Sequence, residues 1–145
     1  MPSEPARPTE ARLQEIVFPD HANHLGTLFG GQALAWMDKA AFIAASRYAR
    51  RTVVTARSEQ VDFRLPIRQG QLVEVVARIV EVGRSSMQVE VELIAEDLLG
   101  GERELCTRGR FSMIALDGRG RPVQAPPLPT DQGLSSRDPI LDAAS

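Results

Sequence analysis

Asp38 is the residue that most needs a chemical explanation, because it interrupts the apolar run NHLGTLFGGQALAWMDKAAFIAAS at residues 23–46. An unpaired buried carboxylate is costly, so it is paired, hydrogen-bonded or retained for chemistry. The alternatives are exposure to solvent or a salt bridge with Lys39 or Arg47. Lys39 is adjacent and Arg47 is nine residues further on, so neither faces Asp38 across a helix turn. Asp38 is therefore a candidate catalytic carboxylate.

Gly30 and Gly31 open the same run and predict a place where a ligand can approach the backbone closely. The first turn of a helix has unpaired N–H donors and the positive end of the helix dipole, which together suit an oxyanion or a phosphate. The alternative is that the glycine pair only provides a tight helix entry or close helix packing.

The distance between these groups is a difficulty for a site within one chain. Asp38 follows Gly31 by seven residues, about 10 Å along a helix at ~1.5 Å per residue. A general base must be within hydrogen-bond reach of its target, directly or through one water. Asp38 should therefore come from a second, antiparallel copy of the helix, which predicts a two-fold dimer with two shared sites. Asn23, just before the helix, then becomes a polar neighbour of the partner's Asp38.

The elements that position these residues follow from the hydrophobic periodicity. Residues 30–50 are rich in alanine and apolar nearly all round, which predicts a buried helix. The segment at 86–97 alternates cleanly, with Met87, Val89, Val91 and Leu93 inward and Gln88, Glu90 and Glu92 outward. In the segment at 61–67 the same pattern places Val61, Phe63 and Leu65 inward. Further strands are predicted at 13–18, 71–82 and 106–116. The order predicts an α+β fold, with an antiparallel sheet wrapped around one central helix.

Length and composition bound the remaining possibilities. The 145 residues suffice for one well-filled core, which we place at 11–121, with flexible tails at 1–10 and 122–145. A net charge of −2 gives no reason to expect nucleic acid or a membrane as a partner. The single cysteine, Cys106, excludes an internal disulfide, and the polar N-terminus is not a signal peptide. A cytoplasmic protein is the expectation.

Two long segments make the sequence recognisable. VFPDHANHLGTLFGGQALAWMDKAA and VDFRLPIRQGQLVEVVARIVEVGRSSMQVEVEL resemble the hotdog-fold acyl-coenzyme A thioesterases, most closely the bacterial short- and medium-chain acyl-CoA hydrolases and the brain-type long-chain enzyme. The resemblance covers residues 13–121 and includes the specific motif P-x-x-x-N-x-x-G-x-x-F-G-G-x-x-x-x-x-M-D. It implies a single hotdog domain with a five-stranded antiparallel sheet, and homodimers that assemble as a trimer of dimers.

The resemblance also implies roles for individual residues. Asp38 matches the family's catalytic aspartate and Asn23 its catalytic asparagine, contributed by opposite protomers, while the N–H of Gly31 would face the thioester oxygen. Asp38 would be either a general base or a nucleophile. The residues that would line the coenzyme A path are Gly30, Thr55, Arg84, Ser85 and Ser86.

Several alternatives stay open from the sequence. The segment GRSS at 83–86 suits a phosphate, yet Gly and Ser also form ordinary hairpin turns. His21, His24 and Cys106 need no catalytic role, and no ligand cluster for a metal is present. Thioester hydrolysis with no cofactor is the predicted activity; a non-catalytic acyl-CoA-sensing module or a hotdog hydratase or dehydratase is the alternative. The acyl pocket could be limited by Leu28, Leu34, Trp36 or Met37.

Overall fold

One long helix packs against a five-stranded antiparallel sheet in the computed structural model, which describes residues 5–129. The elements in chain order are β1 (Glu10–Ile16), a short 3-10 helix (Pro19–His21), α1 (Gly30–Ala49), β2 (Thr52–Phe63), β3 (Leu72–Val82), β4 (Ser86–Glu96) and β5 (Arg103–Leu116). The strand order across the sheet is β1-β3-β4-β5-β2, and every neighbouring pair is antiparallel. The predicted α+β architecture is confirmed.

Small side chains allow α1 to lie close to the sheet. Its buried face consists mainly of alanines together with Trp36, Met37 and Tyr48, and it contacts all five strands. The prediction of a helix buried all round is wrong for the single chain, since Leu34 is 36% exposed and Phe42 is 47% exposed. The sheet covers only one side of α1, so the opposite apolar side is left open. Within residues 5–129, no helix combines the length and the hydropathy that crossing a membrane requires.

The inward face of β4 forms the centre of the core. Met87, Val89, Val91 and Leu93 are fully buried, as the alternation predicts. Glu92 was predicted to be exposed to solvent, but it is only 5% exposed and forms an ion pair with Arg108 on the neighbouring β5. A carboxylate on the outer face of the sheet is therefore largely covered by its cross-strand partner.

Edge strand β2 departs most from the prediction. Phe63 and Leu65, both expected inward, are 54% and 44% exposed. The register of β2 against β5 shifts twice along the strand, and Gln60 between the second pair of shifted positions has a left-handed φ of 51°. Each such irregularity alters which side chains face the core. β2 also ends at Phe63, so Leu65 lies beyond the sheet.

The ordered domain extends past the predicted limits of 11 and 121. Arg7 donates a hydrogen bond to the Tyr48 carbonyl oxygen over 2.6 Å. At the other end, Ala125 is 2% exposed and its N–H donates to the Arg84 carbonyl oxygen, while the Tyr48 hydroxyl donates to the Pro127 carbonyl oxygen. Residues 5–10 and 122–129 are therefore parts of the domain rather than flexible tails, and the rest of both predicted tails lies outside the described residues.

Candidate active site

Asp38 of α1 is held by one hydroxyl. Thr55 on β2 donates a hydrogen bond from Oγ1 to Asp38 Oδ1 over 2.5 Å. The carboxylate is half-buried, and no basic side chain within residues 5–129 forms an ion pair with it, so the salt bridge with Lys39 or Arg47 does not exist there. A carboxylate that is held in place but has no cationic partner remains able to accept a proton or to attack a carbonyl.

The hydrogen bond between Thr55 and Asp38 was not predicted. The family resemblance implied that Thr55 lines the coenzyme A path, and in the structure its hydroxyl contacts the candidate catalytic carboxylate. Sequence periodicity gives no signal for this contact, because the two residues lie on different elements and are 17 positions apart. Thr55 is exposed near the free edge of the sheet.

The side chain of Asn23 organises the loop that leads into α1. Its Oδ1 accepts hydrogen bonds from the backbone N–H of Leu25 (2.9 Å), the backbone N–H of Thr27 (3.1 Å) and the Thr27 hydroxyl (3.1 Å). Two backbone donors on one oxygen fix which end of the amide is oxygen and which is nitrogen. The Nδ2 group has no protein acceptor in the described part of the chain, so it can donate to a ligand.

The start of α1 has free backbone donors. The helix has neither a capping side chain nor an acidic residue in its first turn. The first N–H of the helix that donates a backbone hydrogen bond is that of Ala33, and its acceptor is the Phe29 carbonyl oxygen. A Cβ built on Gly31 would meet nothing within 4 Å, and one on Gly30 would make only ordinary contact with the Phe63 ring at 3.7 Å. Packing within this chain therefore does not require either glycine, whereas an approaching ligand would benefit from both.

Asp38 and Gly31 stay apart within one chain. Both lie on the uninterrupted helix Gly30–Ala49, so the rise of ~1.5 Å per residue still separates them by about 10 Å. Asn23 lies before the start of the same helix. One protomer by itself therefore does not bring the predicted catalytic residues together.

The turn at 83–86 lies on the Asp38 side of the molecule. Thr55 and Met87 both pair with Met113, from opposite sides of β5, which puts them about 10 Å apart at ~4.8 Å per strand. Backbone hydrogen bonds hold the turn, since the carbonyl oxygen of Ser85 accepts from the Ala115 N–H. The side chain of Arg84 is exposed and has no acidic partner among the described residues.

His21 and Cys106 have structural surroundings. His21 Nδ1 accepts a hydrogen bond from the Phe18 N–H over 3.1 Å, and its ring packs edge-on against Trp36 at 5.1 Å. Cys106 is 1% exposed, and burial raises the pKa of its thiol, which disfavours the thiolate needed for attack. No group of His, Cys, Asp and Glu within residues 5–129 is arranged to hold a metal ion.

A cavity of about 380 Å³ beside the start of α1 was not predicted. Leu28, Ala33, Phe63, Leu65 and Ile67 form much of its wall. Of the residues considered for the acyl pocket, only Leu28 lines it. The available signal was Pro66, which argues against an uninterrupted strand through residues 61–67.

Sequence and structure comparisons identify the relatives of this chain. A sequence model of the thioesterase superfamily matches residues 25–101. An uncharacterized acyl-CoA thioester hydrolase of Bacillus subtilis is 44% identical over 110 residues, which are 76% of this chain and 64% of that protein. A hexameric acyl-CoA thioesterase superposes with a TM-score of 0.82 and 36% identity, over 89% of this chain and 83% of that chain.

An acyl-CoA hydrolase of Staphylococcus aureus gives the most detailed comparison. Its complex with butyryl-CoA, coenzyme A and coenzyme A disulfide superposes with a TM-score of 0.79 and 34% identity, over 82% of this chain and 73% of that chain. Structures of that enzyme also exist with an asparagine, an aspartate or a threonine replaced by alanine. The intervals between those positions are 15 and 17 residues, as from Asn23 to Asp38 and from Asp38 to Thr55. The family match covers more than half of the sequence, and the chain therefore belongs to the thioesterase superfamily.

Proposed function

We propose that this protein hydrolyses acyl-CoA thioesters to the free carboxylic acid and coenzyme A. The observation that carries the proposal is the Asp38 carboxylate, which is oriented by Thr55 and has no counter-charge among the described residues. The acyl-CoA hydrolases among its relatives support the choice of substrate. The spacing shared with three residues replaced in the Staphylococcus aureus enzyme supports the choice of Asn23, Asp38 and Thr55.

The site is shared between two protomers in this proposal. The half-site at Asn23 and Gly31 of one chain faces Asp38 of its partner, because about 10 Å separates them within a chain. The exposed apolar residues Leu34 and Phe42 on the open side of α1, together with the unpaired edge of β2, give a dimer interface. Hexamers among the relatives support further assembly, which we propose to be a trimer of dimers.

Hydrolysis then proceeds by one of two routes. In the first, Asp38 takes a proton from a water that adds to the thioester carbonyl; in the second, Asp38 itself attacks and the resulting anhydride is hydrolysed. In both, the negative charge on the carbonyl oxygen is stabilised by the N–H of Gly31 and by Asn23 Nδ2. Collapse of the tetrahedral intermediate breaks the C–S bond, and the coenzyme A thiolate leaves and is protonated. Neither route uses a cofactor.

Asn23 acts as a hydrogen-bond donor in this mechanism. Its oxygen is already occupied by Leu25 and Thr27, so the amide presents nitrogen to the site. A donor aimed at a developing oxyanion contributes ~2.7–4 kcal/mol to transition-state stabilisation in other hydrolases. This orientation favours a contact of Asn23 with the thioester carbonyl oxygen over a contact with the attacking water.

Coenzyme A is proposed to bind on the side of the protomer that supplies Asp38. Arg84, Ser85 and Ser86 offer a guanidinium without an acidic partner among the described residues and two hydroxyls, groups that suit phosphate oxygens. Gly30 would allow close approach of the substrate at the helix start in the other protomer. A cytoplasmic location remains a prediction from the sequence.

The test is release of free thiol from a panel of acyl-CoAs by the wild type and by Asp38→Asn. General-base or nucleophilic catalysis predicts a loss of about 10²–10⁴ in kcat with coenzyme A binding retained. Glu102→Gln, at an exposed position on the β4–β5 hairpin, is the matched control and should keep full activity. Full activity in Asp38→Asn would refute the assignment. A wild type that binds acyl-CoA without hydrolysis would favour the sensor, and hydration of an enoyl-CoA without thiol release would favour the hydratase.

The shared site has its own test, in which Asn23→Asp and Asp38→Asn chains are mixed after dissociation. About a quarter of the sites in a random one-to-one mixture combine two intact halves, so activity should rise well above that of either parent. Activity that stays at the level of the parents would place both groups in one chain.

A further inference from the structure

The segment at residues 122–128, which we call the C-terminal strap, has no part in the proposed chemistry. Its start runs beside the end of β5, where the Val123 N–H donates to the Ala115 carbonyl oxygen over 2.9 Å. The N–H of the same alanine donates to the Ser85 carbonyl oxygen over 3.0 Å. One residue of β5 therefore contacts both the C-terminal strap and the turn at 83–86.

The C-terminal strap also contacts this turn directly. The Ala125 N–H donates to the Arg84 carbonyl oxygen over 2.9 Å, and Ala125 is buried. The carbonyl oxygens of Arg84 and Ser85 are thus held by two different elements, the strap and β5. Because each carbonyl belongs to a rigid peptide plane, these two hydrogen bonds fix the planes on both sides of Ser85. They therefore limit the direction in which the exposed Arg84 side chain leaves the turn.

Tyr48 of α1 anchors the far part of the C-terminal strap. Its side chain is 1% exposed, and its hydroxyl donates to the Pro127 carbonyl oxygen over 2.7 Å. Burial raises the pKa of this hydroxyl, so it keeps its proton and remains a donor at neutral pH. The strap is therefore held at one point by a buried side chain from the central helix.

Two consecutive prolines connect this anchor to the turn. Pro126 and Pro127 follow Ala125 directly, and each proline ring fixes its own φ near about −65°. Ala125 precedes a proline, so its own backbone is restricted to extended conformations. A stiff segment passes a displacement at Pro127 on to Ala125 instead of absorbing it in a bend. The hydrogen bond from Ala125 to Arg84 therefore depends on the anchor at Tyr48.

Resting on the proposed binding of coenzyme A at Arg84, we propose that Tyr48 is a positioning residue that acts through the C-terminal strap. It holds the turn at 83–86 in the form that binds the phosphates of coenzyme A. A binding turn that is ordered in advance loses less conformational entropy when the ligand binds. Tyr48 is buried and does not touch the substrate, so its contribution lies in affinity for coenzyme A and not in the chemical step.

The first experiment compares two substrates in Tyr48→Phe, which keeps the ring and removes only the hydroxyl. KM for acyl-CoA should rise by about 3–10-fold, the effect of losing one neutral hydrogen bond, with kcat within about twofold of the wild type. The same acyl group on pantetheine, which lacks the nucleotide and its phosphates, should keep its KM. An equal rise in KM for both substrates would overturn the proposal.

Arg7→Ala is the matched control for damage at the end of α1. The Arg7 guanidinium donates to the Tyr48 carbonyl oxygen over 2.6 Å, so the variant removes a hydrogen bond from the same tyrosine without touching the hydroxyl. The ratio of the two KM values should stay at its wild-type level. A ratio in Arg7→Ala that changes as much as in Tyr48→Phe would overturn the assignment to the hydroxyl.

A double-mutant cycle tests the route from Tyr48 to Arg84. Arg84→Ala removes the guanidinium that the turn presents, so Tyr48→Phe should lose most of its effect on KM for acyl-CoA in this background. Two residues that act independently would instead give effects that multiply. Fully multiplicative effects would show that Tyr48 does not act through the turn.

Calorimetry with coenzyme A itself separates this inference from the proposed hydrolysis. The affinity for coenzyme A should fall by about 3–10-fold in Tyr48→Phe and stay unchanged in Arg7→Ala. This result in a protein that releases no thiol would retain the positioning role and reject the hydrolase. Thiol release by the wild type, combined with equal affinities in the wild type and Tyr48→Phe, would reject the positioning role alone.

Discussion

Asn23→Asp tests whether Asn23 acts in catalysis or only holds its loop. The carboxylate keeps an oxygen in the position that accepts from Leu25, Thr27 and the Thr27 hydroxyl, but it replaces the Nδ2 donor. Loss of one oxyanion donor predicts a fall of about 10²–10³ in kcat, measured by thiol release. Because the loop hydrogen bonds persist, we expect the midpoint of thermal unfolding to change by less than about 4 °C, as followed by circular dichroism.

Asn23→Ala provides the contrast, because it removes the donor and the loop acceptor together. The activity of Asn23→Ala should fall as far as that of Asn23→Asp. Because alanine adds no negative charge, this fall cannot come from charge repulsion. Two backbone N–H groups and one hydroxyl lose their partner, which costs about 1–3 kcal/mol and about 4 °C of melting temperature for each kcal/mol. Thr27→Val is the control: it removes only the hydroxyl and should keep activity within about tenfold. Activity of Asn23→Asp within about threefold of the wild type would show that the amide nitrogen does not contact the reacting carbonyl.

Two further predictions concern Thr55 and Glu92. Thr55→Val should lower kcat by about 10–100-fold and Thr55→Ser by far less. Only serine keeps the hydrogen bond to Asp38, and hydrogen bonds to charged groups contribute ~1.5–3 kcal/mol. Equal kinetics in the two variants would contradict this role of Thr55. Burial raises the pKa of Glu92 above its ordinary value of 4.5, against the opposing hydrogen bond from Arg108. The folded state therefore holds this proton more tightly, and the free energy of unfolding falls as pH rises from about 4.5 through the raised folded value. Glu92→Gln should reduce this decline in urea unfolding measured across pH, and curves parallel to those of the wild type would refute the argument.

The position of Thr55 changes how its role is understood. A hydroxyl that holds Asp38 Oδ1 at 2.5 Å orients the carboxylate before substrate binds. Such preorganisation reduces what must be rearranged at the moment of reaction. Thr55 is thus proposed as a positioning residue rather than one that binds coenzyme A.

Local periodicity was sufficient to predict the architecture. The alanine-rich run at 30–50 predicts α1, and the alternation at 86–97 predicts β4 with its four buried residues, because a helix and a strand each impose their own spacing on apolar side chains. The sequence also singled out Asp38, since a charge within an apolar helix is costly unless it has a use. The rise per residue along that helix was enough to predict that Asp38 and Gly31 belong to different half-sites.

The tertiary structure decided what periodicity cannot express. Strand irregularities in β2 turn Phe63 outward toward the start of α1, and they depend on pairing with β5 rather than on residue type. The contact between Thr55 and Asp38 joins two elements, and the oxygen of Asn23 finds its donors only once the loop has folded. Apolar spacing reports which face of an element is buried, whereas the partners of polar groups depend on how the elements meet. The sequence by itself therefore determined the fold and the candidate carboxylate, and only the folded chain determined how that carboxylate is held and where a cavity opens beside it.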